Sequence, residues 1–201
     1  MSYEDLNANW RPDFGAIFYW FSMDKSGKIA VMVNNCWGDL PKALLSNRDS
    51  ILLLGSFMDY IFEDSDKFNP SLHDKHGETI LDLYSGLVYR AYKNRKDVEA
   101  RVASKSKGGK HFDESVPARK GLFYYEAIEG SEPGEDFVVG YDGETKMGDY
   151  FREFIPTICS SIEDFPKELR PAIAVSDTVH FTKDRLFDND KISEYFPRMY
   201  S

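Results

Sequence analysis

The sequence predicts an α+β fold, a mostly antiparallel sheet with helices packed on one face. An aromatic, apolar run that turns back through Gly27 opens the chain, and helix-spaced apolar residues fill its middle. Short β-rich runs separated by Gly and Pro occupy its second half. A doubly wound parallel sheet would instead alternate strand and helix throughout.

The elements follow in order. Ala16 to Met23 (AIFYWFSM) is nearly continuous in hydrophobicity, which suits a strand covered on both faces. Asp24 to Lys28 supplies turn formers, with Gly27 at the left-handed position of a short hairpin, and Ile29 to Val33 is the return strand. Asn34 to Asp39 reads as a loop, and Pro41 suits the first helical position of a short segment through Leu45. From Asp49, Ile51, Leu54, Met58 and Ile61 recur at helical spacing, and that helix is expected to end among Glu63, Asp64 and Asp66.

Ile80, Tyr84, Leu87, Val88 and Ala91 again fall three and four apart, and with Val98 and Val102 they predict the longest helix. Ser104 to Lys110, with two adjacent glycines among Lys and Ser, predicts a loop tip. Strands are predicted over Leu122 to Ile128, Phe137 to Tyr141, around Tyr150 to Ile155, and over Ala172 to Phe181. Short helices are expected at Ser161 to Leu169 and Asp190 to Tyr195. The chain is thus expected to form a single globular domain over 1–201 with a flexible loop near 104–119.

With 201 residues, 42% of them hydrophobic and rich in Phe and Tyr, the chain carries enough apolar surface to fold without a disulfide or metal staple. Its polar, acidic beginning has neither the basic nor the apolar part of a secretory signal, so export by that route is not expected. No apolar run approaches the roughly 18–20 residues of a membrane span. Cys36 and Cys159 read as reduced thiols.

The formal charge of −9 disfavours direct binding to nucleic acid phosphates and favours a basic partner. The charge is unevenly spread. Between Glu126 and Asp149 eight acids (Glu126, Glu129, Glu132, Glu135, Asp136, Asp142, Glu144, Asp149) face only Lys146, whereas Arg90 to Lys120 carries ten bases against four acids.

The residues that could carry chemistry form no complete motif. His73 and His76, with Asp74 and Glu78, lack the helix-borne spacing of a zincin, and Pro70 and Gly77 make the segment a loop, so no metal site is assigned. A thiolate at Cys36 or Cys159 would need a base such as His180 beside it, while a small buried hydrophobe is the commoner fate of a free Cys. No nucleophile elbow, phosphate-binding loop or dinucleotide fingerprint is present. Carboxylates at Asp59, Glu63, Asp142, Glu144 and Asp177 could hide an acid–base pair, but abundance makes such pairs common, and a solvated acidic helix face explains Asp59 and Glu63. Ser176-Asp177-Thr178 reads as a structural interruption of a strand. Trp37, beside Gly38 and Asp39, reads as core, with a surface anchor as the alternative.

Phe18 to Val33 (FYWFSMDKSGKIAVMV), followed by Asn34 to Pro41 (NNCWGDLP), resembles the opening of small bacterial immunity proteins of polymorphic-toxin and contact-dependent inhibition systems. The likeness covers about an eighth of the chain and transfers no functional residue. It implies a cytoplasmic protein that binds and neutralises a toxin domain, commonly a nuclease, and does no chemistry itself.

A noncatalytic binding protein with no cofactor is therefore expected, its partner a basic protein such as a toxin nuclease domain, with no membrane contact. The candidate contact residues are Asp59, Glu63, Asp64 and Asp66 at the helix edge and Glu132, Glu135, Asp136, Asp142 and Glu144 in the acidic segment. The alternatives are a small carboxylate-dependent hydrolase, metal-assisted or not, and an oligomeric structural or phage-associated protein.

Overall fold

The computed structural model describes residues 2–62, 72–106 and 115–201. Strands β1 (Tyr19–Met23) and β2 (Ile29–Val33) lead into helices α1 (Lys42–Leu45) and α2 (Arg48–Phe62). Short strands β3 (Thr79–Leu81) and β4 (Tyr84–Ser85) precede helices α3 (Arg95–Ser106) and α4 (Val116–Arg119). Then come β5 (Phe123–Ala127), β6 (Val138–Val139), β7 (Tyr150–Pro156), β8 (Ile173–Val175), β9 (Leu186–Phe187), α5 (Ile192–Tyr195) and β10 (Arg198–Met199).

The result is an α+β fold built on an eight-stranded sheet in the order β10-β8-β1-β2-β5-β7-β3, with β9 also on β7 and a separate β4–β6 pair. Most pairings are antiparallel, but β1 with β8 and β2 with β5 are parallel, so the sheet is mixed.

The opening hairpin forms as its sequence predicts. Gly27 takes φ +81°, the Asp24 N–H donates to the Lys28 carbonyl at 2.9 Å, and the buried Asp24 carboxylate accepts from the N–H groups of Ser26 and Lys28. Successive side chains of β1 then point to opposite faces. Phe21 stacks on Phe57 of α2 with ring centres 4.0 Å apart, and Phe57 stacks in turn on Phe165 at 4.9 Å. On the other face Trp20 meets Tyr150 and Phe196 edge-on, and Tyr125 packs on Phe181 and Phe187. Helices α2 and α4 thus cover one face, as expected. Chain from 176 to 196, with the single turn α5, covers the other, which is why every residue of β2 is buried.

Two predictions are corrected. The expected long helix from Ile80 to Val102 is instead β3, β4, a run of turns and, only from Arg95, a helix. Its apolar stripe is not one buried face, since Ile80 is 47% and Val88 52% exposed. What holds the extended chain there is pairing with β7 and the Asp82 carboxylate, which receives Arg152 at 2.6 Å and Arg185 at 2.8 Å. Arg95 adds donors to the carbonyls of Leu81 and Asp82.

The late strand is confined to Ile173–Val175, because the Ser176 Oγ accepts from the N–H groups of Thr178 and Val179 and turns the chain. In the predicted loop near 104–119, α3 runs to Ser106 and α4 occupies Val116–Arg119. Residues 107–114 lie outside the described residues. No helix among the described residues is long and apolar enough to cross a membrane.

Candidate functional site

The site starts where β2 ends. The buried Asn34 side chain accepts from the Phe18 N–H at 2.6 Å and donates to the Ala16 carbonyl at 2.9 Å, clamping the N-terminal segment to the sheet. Its carbonyl accepts from the N–H groups of Trp37 and Gly38, and between them Asn35 and Cys36 take left-handed φ values of +41° and +70°. Such conformations cost non-glycine residues about 1–3 kcal/mol and persist where surroundings over-determine them.

Those surroundings are specific. The Asn35 side-chain amide donates to the Ala127 carbonyl, and the Asp39 N–H donates to Asn189 Oδ1 at 2.7 Å. The Tyr150 hydroxyl donates to the Asp39 carbonyl while accepting from the Trp20 indole. The loop is thereby held so that half-buried Trp37 forms one wall of a cleft of about 410 Å³.

The rest of the lining comes from Leu87, Val88 and Arg90 and from Glu129, Gly130, Ser131 and Glu135. The Ser131 N–H donates to Glu135 Oε2 at 2.6 Å, folding that loop over its own carboxylate. The buried Asp136 accepts the Leu87 N–H at 2.9 Å and the Phe137 N–H at 2.8 Å on one oxygen, tying the two segments together. Its other oxygen is buried and has no hydrogen-bond partner among the described residues. Burial, and then the charge of Asp136, push the Glu129 carboxyl above its ordinary range.

The cleft therefore combines aromatic and aliphatic surface (Phe14, Trp37, Val88) with the carboxylates Glu129 and Glu135 and one base, Arg90. Phe14 is 80% exposed, and Phe137, packed on Gly86 beside this wall, is 59% exposed. Large apolar side chains left in water around a concave, charged surface mark an interaction site.

The structure divides the predicted contact residues. Glu132 and Glu135 are exposed in one loop, of which Glu135 lines the cleft and Glu132 does not. Asp136 is corrected: it is buried and bonded to backbone, so it cannot present itself to a partner. Asp142 and Glu144 are exposed beyond β6 and do not line the cleft. Asp149, counted in the same acidic run, is buried and accepts from the N–H groups of Asn189 and Lys146, with burial raising its carboxyl. Asp59 is half-buried on α2, and Glu63, Asp64 and Asp66 lie outside the described residues.

The groups that could carry chemistry have these surroundings among the described residues. Asp177 pairs with Arg198 at 2.7 Å. His180 Nδ1 lies 3.6 Å from the buried Asp24 carboxylate and 3.2 Å from Thr182 Oγ1. Cys36 lines the cleft, whereas Cys159 is at the surface with its thiol raised by partial burial. Among the described residues no group of three or more His, Cys, Asp or Glu could hold a metal ion. Sequence reasoning missed Phe14, Val88 and Arg90. Val88 read instead as part of a helical stripe and Arg90 as part of a basic run.

Fold and site together define an α+β protein with an acidic, aromatic-walled cleft. Compared with protein-family models, curated proteins and solved structures, the chain matches none.

Proposed function

We propose that this protein is a noncatalytic binding protein of the immunity type, which neutralises a bacterial toxin domain in the cytoplasm by holding a basic surface of that domain over the cleft. The observation that carries this reading is the placement of exposed Glu135, with exposed Glu132 in the same loop, at a cleft lined by the exposed apolar side chains Phe14 and Val88. Rim carboxylates on a chain of charge −9 attract a basic partner and raise its encounter rate. The apolar side chains then supply the desolvated contacts from which most binding energy comes.

The test joins capture with protection. The tagged protein, isolated from its native cells in moderate salt, should retain a basic toxin domain stoichiometrically and protect cells that express that domain. Glu132→Lys with Glu135→Lys should weaken the complex about tenfold, mainly through slower association, and lower protection. Asp142→Lys with Glu144→Lys, away from the cleft, should change it less. The reading fails if no protein is retained, or if both charge-reversed proteins bind and protect like the unaltered one.

A further inference from the structure

We infer that the cleft is a receptor for one arginine side chain projected by the protein partner, its guanidinium lying between the Phe14 and Trp37 wall and the carboxylates of Glu129 and Glu135. The inference rests on the binding function proposed above and names the group which that partner inserts.

Four observations point to this occupant. The cleft volume of about 410 Å³ suits one side chain or a small ligand rather than a helix or strand. Its lining mixes aromatic rings with carboxylates, the two surfaces that a planar guanidinium satisfies at once, by stacking and by paired hydrogen bonds. An ammonium is a point charge that gains less from the rings.

Thirdly, the negative charge is built in. Asp136 sits behind the wall, its second oxygen buried and without a hydrogen-bond partner among the described residues, and its charge reaches Glu129. A buried, unsatisfied acceptor beside the lining favours a guest that brings hydrogen-bond donors.

Finally, the wall is rigid. The Asn35–Cys36 turn that presents Trp37 is held by Asn34, Asn189 and Tyr150, so little ordering remains to be done when the guest arrives. Arg90, exposed on the same lining, is its one cation among the described residues and weakens the field that an incoming arginine meets.

The experiment uses the full chain and a capped amino acid, N-acetyl-arginine amide, with N-acetyl-citrulline amide as its uncharged isostere. The chain has three tryptophans, of which Trp10 and Trp20 are buried, so the Trp37 indole resonance reads the cleft. The arginine probe should move that resonance and saturate with a Kd on the order of millimolar. Citrulline should bind about tenfold more weakly, and Glu129→Gln should weaken the arginine probe about as much, as expected for loss of a charge-assisted bond. Arg90→Ala should strengthen it, an effect that general unfolding cannot mimic.

Equal binding of the two probes, no binding, or indifference to both substitutions overturns the assignment. If a toxin domain is captured while the arginine probe is inert, protein binding stands and this pocket is wrong. If the probe binds as described but no protein is ever captured, the partner is what fails, and the pocket is reassigned to a free cationic metabolite.

Discussion

A methyl group added at Gly38 would lie 2.5 Å from the ring of Tyr150, which is fully buried and bonded to the Trp20 indole. Neither partner can retreat, so Gly38→Ala should destabilise the fold by about 1–3 kcal/mol, the usual cost of overpacking. Gly55, in the interior of α2, has only a Tyr3 ring atom 4.0 Å from the corresponding position. There Gly55→Ala should stabilise by about 0.5–1 kcal/mol through helix propensity. Urea denaturation of the two variants checks both signs, and a Gly38→Ala protein as stable as the parent would contradict the packing described. Such contrasts were illegible in the sequence. Gly38 read as one of several loop glycines, and Tyr150 lies more than a hundred residues away.

The elements best predicted were those whose pattern is local. The β1–β2 hairpin needs only its apolar strands and Gly27, and α2 needs only the helical spacing of Ile51, Leu54, Met58 and Ile61. The segment from Ile80 to Ala91 failed because its structure is set from afar. Asp82 has a side chain 12% exposed and meets Arg152, whose side chain is 5% exposed, as well as Arg185. Arg152 also donates to the Phe181 carbonyl, linking β7 to the irregular layer. Asp82→Ala would strand the buried Arg152 without its counter-ion and should cost about 3–5 kcal/mol. Hydrogen exchange should then show β3 opening ahead of the β1–β2 hairpin. Loss of protection first in the hairpin would refute the role given to Asp82.

For the molecule as a whole, the acidic surplus is partly internal, and that makes stability depend on pH. Burial raises the carboxyls of Asp39, Glu129 and Asp149, so each binds its proton more tightly folded than unfolded. By linkage, stability gained from such a group is fully present below its unfolded pKa and is lost as pH rises through the folded value. Asp164 behaves oppositely: burial acts to raise its carboxyl, but hydrogen bonds from Lys75 and Ser161 outweigh it, and its contribution is lost as pH falls. Comparing Glu129→Gln with the parent cancels the other groups. The variant should be the more stable at neutral pH, with the difference vanishing as the pH falls to the ordinary glutamate value of 4.5. A difference independent of pH would mean that Glu129 is not titrating in the fold.

Composition and local periodicity were sufficient for an α+β chain with a negative balance, an aromatic hairpin and a following helix, because those properties are sums or nearest-neighbour patterns. The contact surface was not such a property. The acidic run from Glu126 to Asp149 looked like one patch, yet the fold buries Asp136 and Asp149 as backbone acceptors, leaves Glu132 exposed and puts Glu135 at the cleft. It also brings Phe14, Trp37, Val88 and Glu129 together from four separate segments. Charge and hydrophobicity are written in the order of residues, but which of them share a concavity depends on chain crossings between elements far apart in sequence.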